Sequence, residues 1–340
     1  MKVGPLVDAL VESSEPSIRW KTRVHVLGDD PESKAIRALE EEVRRSPRVR
    51  ALLSRRNELA RPEAVPGVYA KWQGAHWVLA SLADIGYPAG DKSLHSVRDR
   101  VLDFWLDPTY YREFDARTRA DAYGREGVPV MRGRYRRCAS QQGNALLALT
   151  TLGLLDDRGE ALVERLLRWQ WPDGGWNCDK DPSADSSSFM ETLLPMVGLA
   201  AYAQDRGSAN ASRAAERASE VFLRRRLFKR ASDGKVIHGD FVTLHYPLYW
   251  HYDVLGGLKA MARIGRIGDP RCTEALDLLE KKQRSDGAWN AGRRFYTVSP
   301  GAIRAGSDYV DWSGTDGVRM NEWVTAEALG VLRAADRIDL

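Results

Sequence analysis

One short segment that returns 113 positions later constrains this chain more than any other feature in it. Gln170 to Asn177 reads QWPDGGWN and Gln283 to Asn290 reads QRSDGAWN, an agreement at five of eight positions that includes a tryptophan. Between them, Ser232-Asp233-Gly234-Lys235 is a worn copy, so Asp-Gly pairs begin at 173, 233 and 286, 60 and 53 residues apart. A period of that size marks an array of supersecondary units that must stack to bury their apolar faces. The motif explains the stacking. Asp-Gly makes a tight turn in which glycine takes a positive φ. The glutamine amide is suited to bonding backbone at that turn, and the tryptophan to covering it and stapling one unit to the next.

Each unit holds two kinds of helix. Segments 71–87, 138–154, 187–202, 248–264 and 321–335 are apolar and aromatic on almost every side, as a helix surrounded by other helices must be. Segments 94–106, 160–171, 212–229 and 273–284 carry apolar residues at helical spacing among Glu, Lys and Arg. No clean two-residue alternation announces strands. These periodicities predict an all-α fold, an α/α toroid with buried inner helices wrapped by solvated outer ones. Residues 66–340 carry the toroid repeats and 1–65 a helical N-terminal extension packed on it, opened in part by the cap-like Asp30-Pro31-Glu32. Connections from inner to outer helices are short, whereas those from outer to inner run long, over 107–137, 173–186, 231–246 and 286–320. Long connections carry function more often than short ones, and all of these fall on the rim where inner helices begin.

Composition excludes several classes. With 51 basic against 47 acidic residues the net charge is only +4, without the concentrated basic face of a nucleic-acid binder. Cys138, Cys178 and Cys272 are odd in number and far apart, so the spacing predicts neither a disulfide framework nor a metal site. No cofactor is implied. The N-terminus lacks the apolar core of a signal peptide, and no apolar run reaches the ~20 residues of a membrane span. A cytoplasmic protein is the expectation.

The QxxDGxW element resembles the QW repeat of squalene–hopene and oxidosqualene cyclases and is similar to the glycine-rich repeats of protein prenyltransferase β subunits. Segments TLHYPLYWHYDVLGGLKAMARIG and SFMETLLPMVGLAAY also resemble bacterial squalene-cyclase-like proteins. The resemblance implies the toroid and an apolar or isoprenoid ligand. It does not extend to chemistry: no D-x-D-D acid motif and no D-D-x-x-D magnesium motif occurs, and Cys178-Asp179 lacks the zinc spacing of the prenyltransferases.

Candidate site residues gather at the long-loop rim. Trp72, His76, Gln142, Phe189, His245, Tyr249, Trp250 and Trp323 give the starts of the inner helices a polar and aromatic content suited to a central cavity. His251 and Asp253 are candidates for general acid or base, as is Glu191, whose depth in its helix favours the protonated form. Asp185 occupies a place analogous to the cyclase acid, although Asp before Ser186 is also a helix-cap signature. Arg134 and Arg137, leading into a helix N-terminus, suit an anionic head group. Three readings follow. They are a terpene-cyclase-like enzyme acting on an isoprenoid in an aromatic cavity, a non-catalytic lipid- or isoprenoid-binding toroid, and a carbohydrate-active toroid like the polysaccharide lyases.

Overall fold

The computed structural model describes residues 4–61, 63, 67–298, 306–315 and 318–339; the 65/66 boundary lies outside them, as does part of the long 286–320 connection. Twelve helices carry the architecture. They are α1 (Gly4–Val11), α2 (Pro16–Lys21), α3 (Lys34–Arg45), α4 (Ala75–Asp84), α5 (His95–Leu106) and α6 (Ala139–Thr151), followed by α7 (Gly159–Trp169), α8 (Phe189–Arg206), α9 (Ala209–Leu223), α10 (Val254–Arg263), α11 (Thr273–Lys281) and α12 (Glu322–Ala334). The even-numbered helices form the inner ring. α4 packs on α6, α6 on α8, α8 on α10, α10 on α12, and α12 on α2 and its π-helical continuation Thr22–Leu27. The odd-numbered helices wrap them, giving an α/α toroid.

The ring closes through the N-terminal segment. Trp20 covers Gly86, just past α4, and Lys21 at the end of α2 ion-pairs with Asp84 of α4 and Glu327 of α12. Residues set apart from the repeats by sequence thus supply an inner helix of the ring itself. Its periodicity is hidden because α2 is short and turns into a π-helix. The helix that follows is capped by Ser33, whose hydroxyl accepts from Ile36 N–H at 3.3 Å, so it starts later than Asp30-Pro31-Glu32 suggests.

The repeated motif does the same work twice. Gln170 donates to the carbonyls of Gly174 (2.6 Å) and of Ala214 in the next outer helix (2.8 Å). Gln283 likewise donates to Gly287 (2.7 Å), and that turn abuts Leu6 of α1, the next outer helix. Trp176 and Trp289 are fully buried and donate their indole N–H to Leu166 and Leu279, ten residues back in their own outer helices. Their backbones bond Thr192 of α8 and Thr325 of α12. Each motif therefore ties two outer helices and one inner helix together.

Among the described residues, strands are confined to the long connections. β1 (Glu113–Asp115) pairs in parallel with β2 (Val128–Met131), which pairs antiparallel with β3 (Arg134–Tyr135), while β4 (Thr297–Val298) and β5 (Ser307–Asp308) form a second, minimal sheet. No helix among the described residues is long and apolar enough to cross a membrane.

Candidate functional site at the inner-helix N-terminal rim

Helices α4 and α10 stand opposite each other in the ring, so contacts between them report what fills its centre. At the N-terminal rim the contacts are aromatic and come mostly from the segments that lead into the two helices. Trp72 stacks on Trp250 with ring centroids 4.7 Å apart and lies 3.9 Å from Tyr249, and Trp77 touches both partners at 5.7 and 5.5 Å. Trp72 and Tyr249 both hold the left-handed backbone region, at φ 70° and 50°, which bulky residues adopt only where surrounding structure over-determines them. His251 continues the stack onto Phe295. The residues expected to line a chamber are thus packed against one another across the axis.

Further along the inner helices the bridge is ionic. Lys21, Asp84, Lys259 and Glu327 form a closed ring of alternating charge, with N···O distances of 3.2, 2.9, 2.5 and 2.7 Å around it, and Tyr246 donates its hydroxyl to Asp84 at 2.6 Å. Burial pushes the Asp84 carboxyl up, but Lys21 and Lys259 outweigh it and hold the group below the usual carboxylate range.

Several sequence candidates have structural employment. Asp253 caps α10, accepting from Gly256 N–H (2.7 Å) and His245 N–H (2.9 Å), and its Oδ2 lies 2.8 Å from His245 Nδ1; both side chains are buried. That cap is why the helix begins at Val254 and not at 248. His76 is buried between the Trp105 indole N–H and Asn144, both at 3.1 Å, and burial lowers its pKa to about 3. His251 is half-buried, with a pKa lowered to about 3 by burial first and then by His245, Lys71 and Arg293. Phe189 belongs to a separate aromatic cluster with Phe222, Phe241 and Tyr252, and Trp323 stacks on Tyr246. Gln142 is fully buried, and neither amide atom has a hydrogen-bond partner. Asp185 is exposed and caps nothing, because α8 starts only at Phe189 after Ser188; Asp173 instead takes Ser187, accepting from its N–H at 2.7 Å and its hydroxyl at 2.6 Å.

Glu191 and Arg137 lie elsewhere, beside residues the spacing did not recommend. Cys138 precedes α6, Cys178 follows the first repeat motif, and Glu191 stands in the first turn of α8. Their ligand-type atoms all lie within 4.8 Å of one another, and all three side chains are half-buried. Cys178 Sγ donates to Glu191 Oε1 at 3.3 Å, while Glu191 Oε2 accepts from the N–H (3.1 Å) and hydroxyl (2.8 Å) of Ser140. Burial raises the Glu191 pKa against the pull of Ser140, Cys178 and Arg137. The contact with Cys138, and then burial, pushes the Cys178 thiol up. Tyr69, raised to about 12 by burial, flanks the group. Arg137 packs on the Tyr110 ring, and its Nε and Nη2 find no hydrogen-bond partner. Arg134 lies over Trp171 instead. The cysteines escaped the sequence reading because 40 residues separate them. Their one signal was position: each abuts an element already assigned to the rim.

No protein-family model and no curated protein matches the chain. Among solved structures, it is similar to an unsaturated glucuronyl hydrolase from Bacillus sp. GL1, responsible for the degradation of glycosaminoglycan, at 15% identity and a TM-score of 0.43 over 94% of this chain and 84% of that one. It is also similar to a UGL variant with dGlcA-Glc-Rha-Glc, at 18% identity and a TM-score of 0.41 over the same shares. At such scores neither likeness bears on chemistry.

Proposed function

We propose that this toroid is an enzyme whose small, anionic substrate meets the ring at the N-terminal rim between α6 and α8, and not inside a central chamber. The observation that carries the reading is Arg137. It is a half-buried guanidinium with two nitrogens lacking protein partners and no carboxylate within ion-pair distance among the described residues, set beside two thiols and a carboxyl. A desolvated cation without a counter-ion is costly, and guanidinium geometry suits a carboxylate or phosphate. An isoprenoid tail enclosed by the ring would have to displace the Trp72–Trp250 stack, so the anionic group is the better-supported part of the ligand. Diphosphates and sugar acids share that group.

Differential scanning fluorimetry of the full chain with pyrophosphate, farnesyl diphosphate, farnesol and an unsaturated glucuronyl disaccharide tests the reading. At least one anion is expected to raise the melting temperature, farnesol to leave it unchanged, and Arg137→Ala to abolish the shift. Stabilisation by no anion, or equal stabilisation of Arg137→Ala, overturns the reading.

A further inference from the structure

We propose that Cys138, Cys178 and Glu191 form a three-ligand site for a divalent transition-metal ion, zinc foremost, with its fourth position open beside Arg137. The inference rests on the rim reading for its location alone. Zinc takes sulfur at about 2.3 Å and carboxylate oxygen at about 2.0–2.2 Å in a tetrahedron, which sets S···S near ~3.8 Å and S···O near ~3.5 Å. Donor atoms converging within 4.8 Å, one S···O pair already at 3.3 Å, reach those separations by small side-chain rotations. Among the described residues this is the one group of His, Cys, Asp and Glu that converges so closely.

Three features separate the cluster from a chance meeting of thiols. First, the segments bearing the ligands are stitched together by backbone. Arg136 and Asn177, two residues and one residue before the respective cysteines, form an isolated parallel bridge, and Ser188 N–H donates to Trp176 O at 2.9 Å, tying the Cys178 segment to the start of α8. The buried Trp176 anchors that segment in turn. Second, the Glu191 carboxylate is divided: Oε2 is held by both Ser140 donors, which leaves Oε1 aimed at Cys178. Such outer hydrogen bonds orient a metal ligand. Third, Cys138 occupies the cap position of α6 but makes no side-chain cap bond, so its sulfur is not committed to the helix. Two soft sulfurs with one oxygen select zinc over magnesium or calcium, and three protein ligands leave a position for water or substrate, as catalytic zinc sites do. Two thiolates and a carboxylate around a dication carry one net negative charge, which Arg137 complements.

The test uses the full chain, reduced, stripped with chelator and titrated with Zn²⁺ or Co²⁺. We expect one equivalent bound, and for cobalt the near-ultraviolet charge-transfer absorption of thiolate ligation. Cys138→Ser and Cys178→Ser should each weaken binding by ~10–100-fold or more, with Glu191→Gln weaker than wild type and Cys272→Ser unchanged. Circular dichroism verifies the fold of each variant; should one unfold, the cobalt spectrum of the unsubstituted chain decides. Absence of that absorption, sub-stoichiometric binding, or a Cys138–Cys178 disulfide in the freshly isolated protein overturns the site. Metal bound with no anion effect defeats only the substrate reading, and an Arg137-dependent anion effect without metal defeats only this one.

Discussion

Substituting Lys21 and Glu327 singly and together measures how the ring closes. Their side chains are 3% and 8% exposed and meet at 2.7 Å, while Lys21 also reaches Asp84 at 3.2 Å and Glu327 reaches Lys259 at 2.5 Å. At an effective dielectric near 20 the direct attraction is roughly 6 kcal/mol gross, most of it offset by desolvating the two charges. Removing one member of a buried pair costs about 3–5 kcal/mol when the other is left alone. Here each orphan keeps a second partner, so Lys21→Met and Glu327→Leu are each expected to cost about 2–3 kcal/mol. The double variant leaves the Asp84–Lys259 pair balanced and should cost less than the sum by about 2 kcal/mol, within the range for close charge pairs. Equilibrium urea unfolding, followed by tryptophan fluorescence, supplies the four corners of the cycle. Costs that add within about 0.5 kcal/mol, the behaviour of independent sites, would refute the claim that α2 belongs to the inner ring and is locked there by charge.

Two further outcomes follow from the same structure. Trp176→Ala and Trp289→Ala should each destabilise by ~3–5 kcal/mol through lost burial and a cavity, whereas Trp176→Phe, which loses the indole bond to Leu166 but keeps a ring in the site, should cost less than the alanine; midpoints unchanged in calorimetry would contradict the stapling role. His76, with a folded pKa of about 3, binds its proton more readily in the unfolded chain, near 6.5. Its contribution is therefore present above pH 6.5 and is lost as pH falls from there towards 3, at up to ~1.4 kcal/mol per pH unit. His76→Gln should flatten that slope in pH-dependent urea titrations, and an unaltered slope would show that His76 is not its source.

The sequence by itself determined the toroid. Two copies of one motif, and helices that alternate between apolar on all sides and amphipathic, leave few other ways to bury the aromatic residues. Both are local signals: Asp-Gly turns and 3.6-residue periodicity involve residues close along the chain. The motif tryptophans and glutamines serve as the repeat predicts, because a turn and the helix before it fix their surroundings. Glu191 stands out in the sequence as an acid in a mostly apolar inner helix, but the depth expected of it is not found: α8 begins only at Phe189, which leaves Glu191 in the first turn. Tertiary structure decided what crosses the ring. Whether Trp72 and Trp250 line a cavity or stack on each other depends on the ring's radius and on side chains from opposite helices, which no spacing records. The same holds for Lys21 closing the ring over more than 300 residues, and for two cysteines 40 apart meeting one carboxylate. Separation along the chain carries no distance once a chain is folded back on itself, so contacts made by closure are the ones a sequence leaves unwritten.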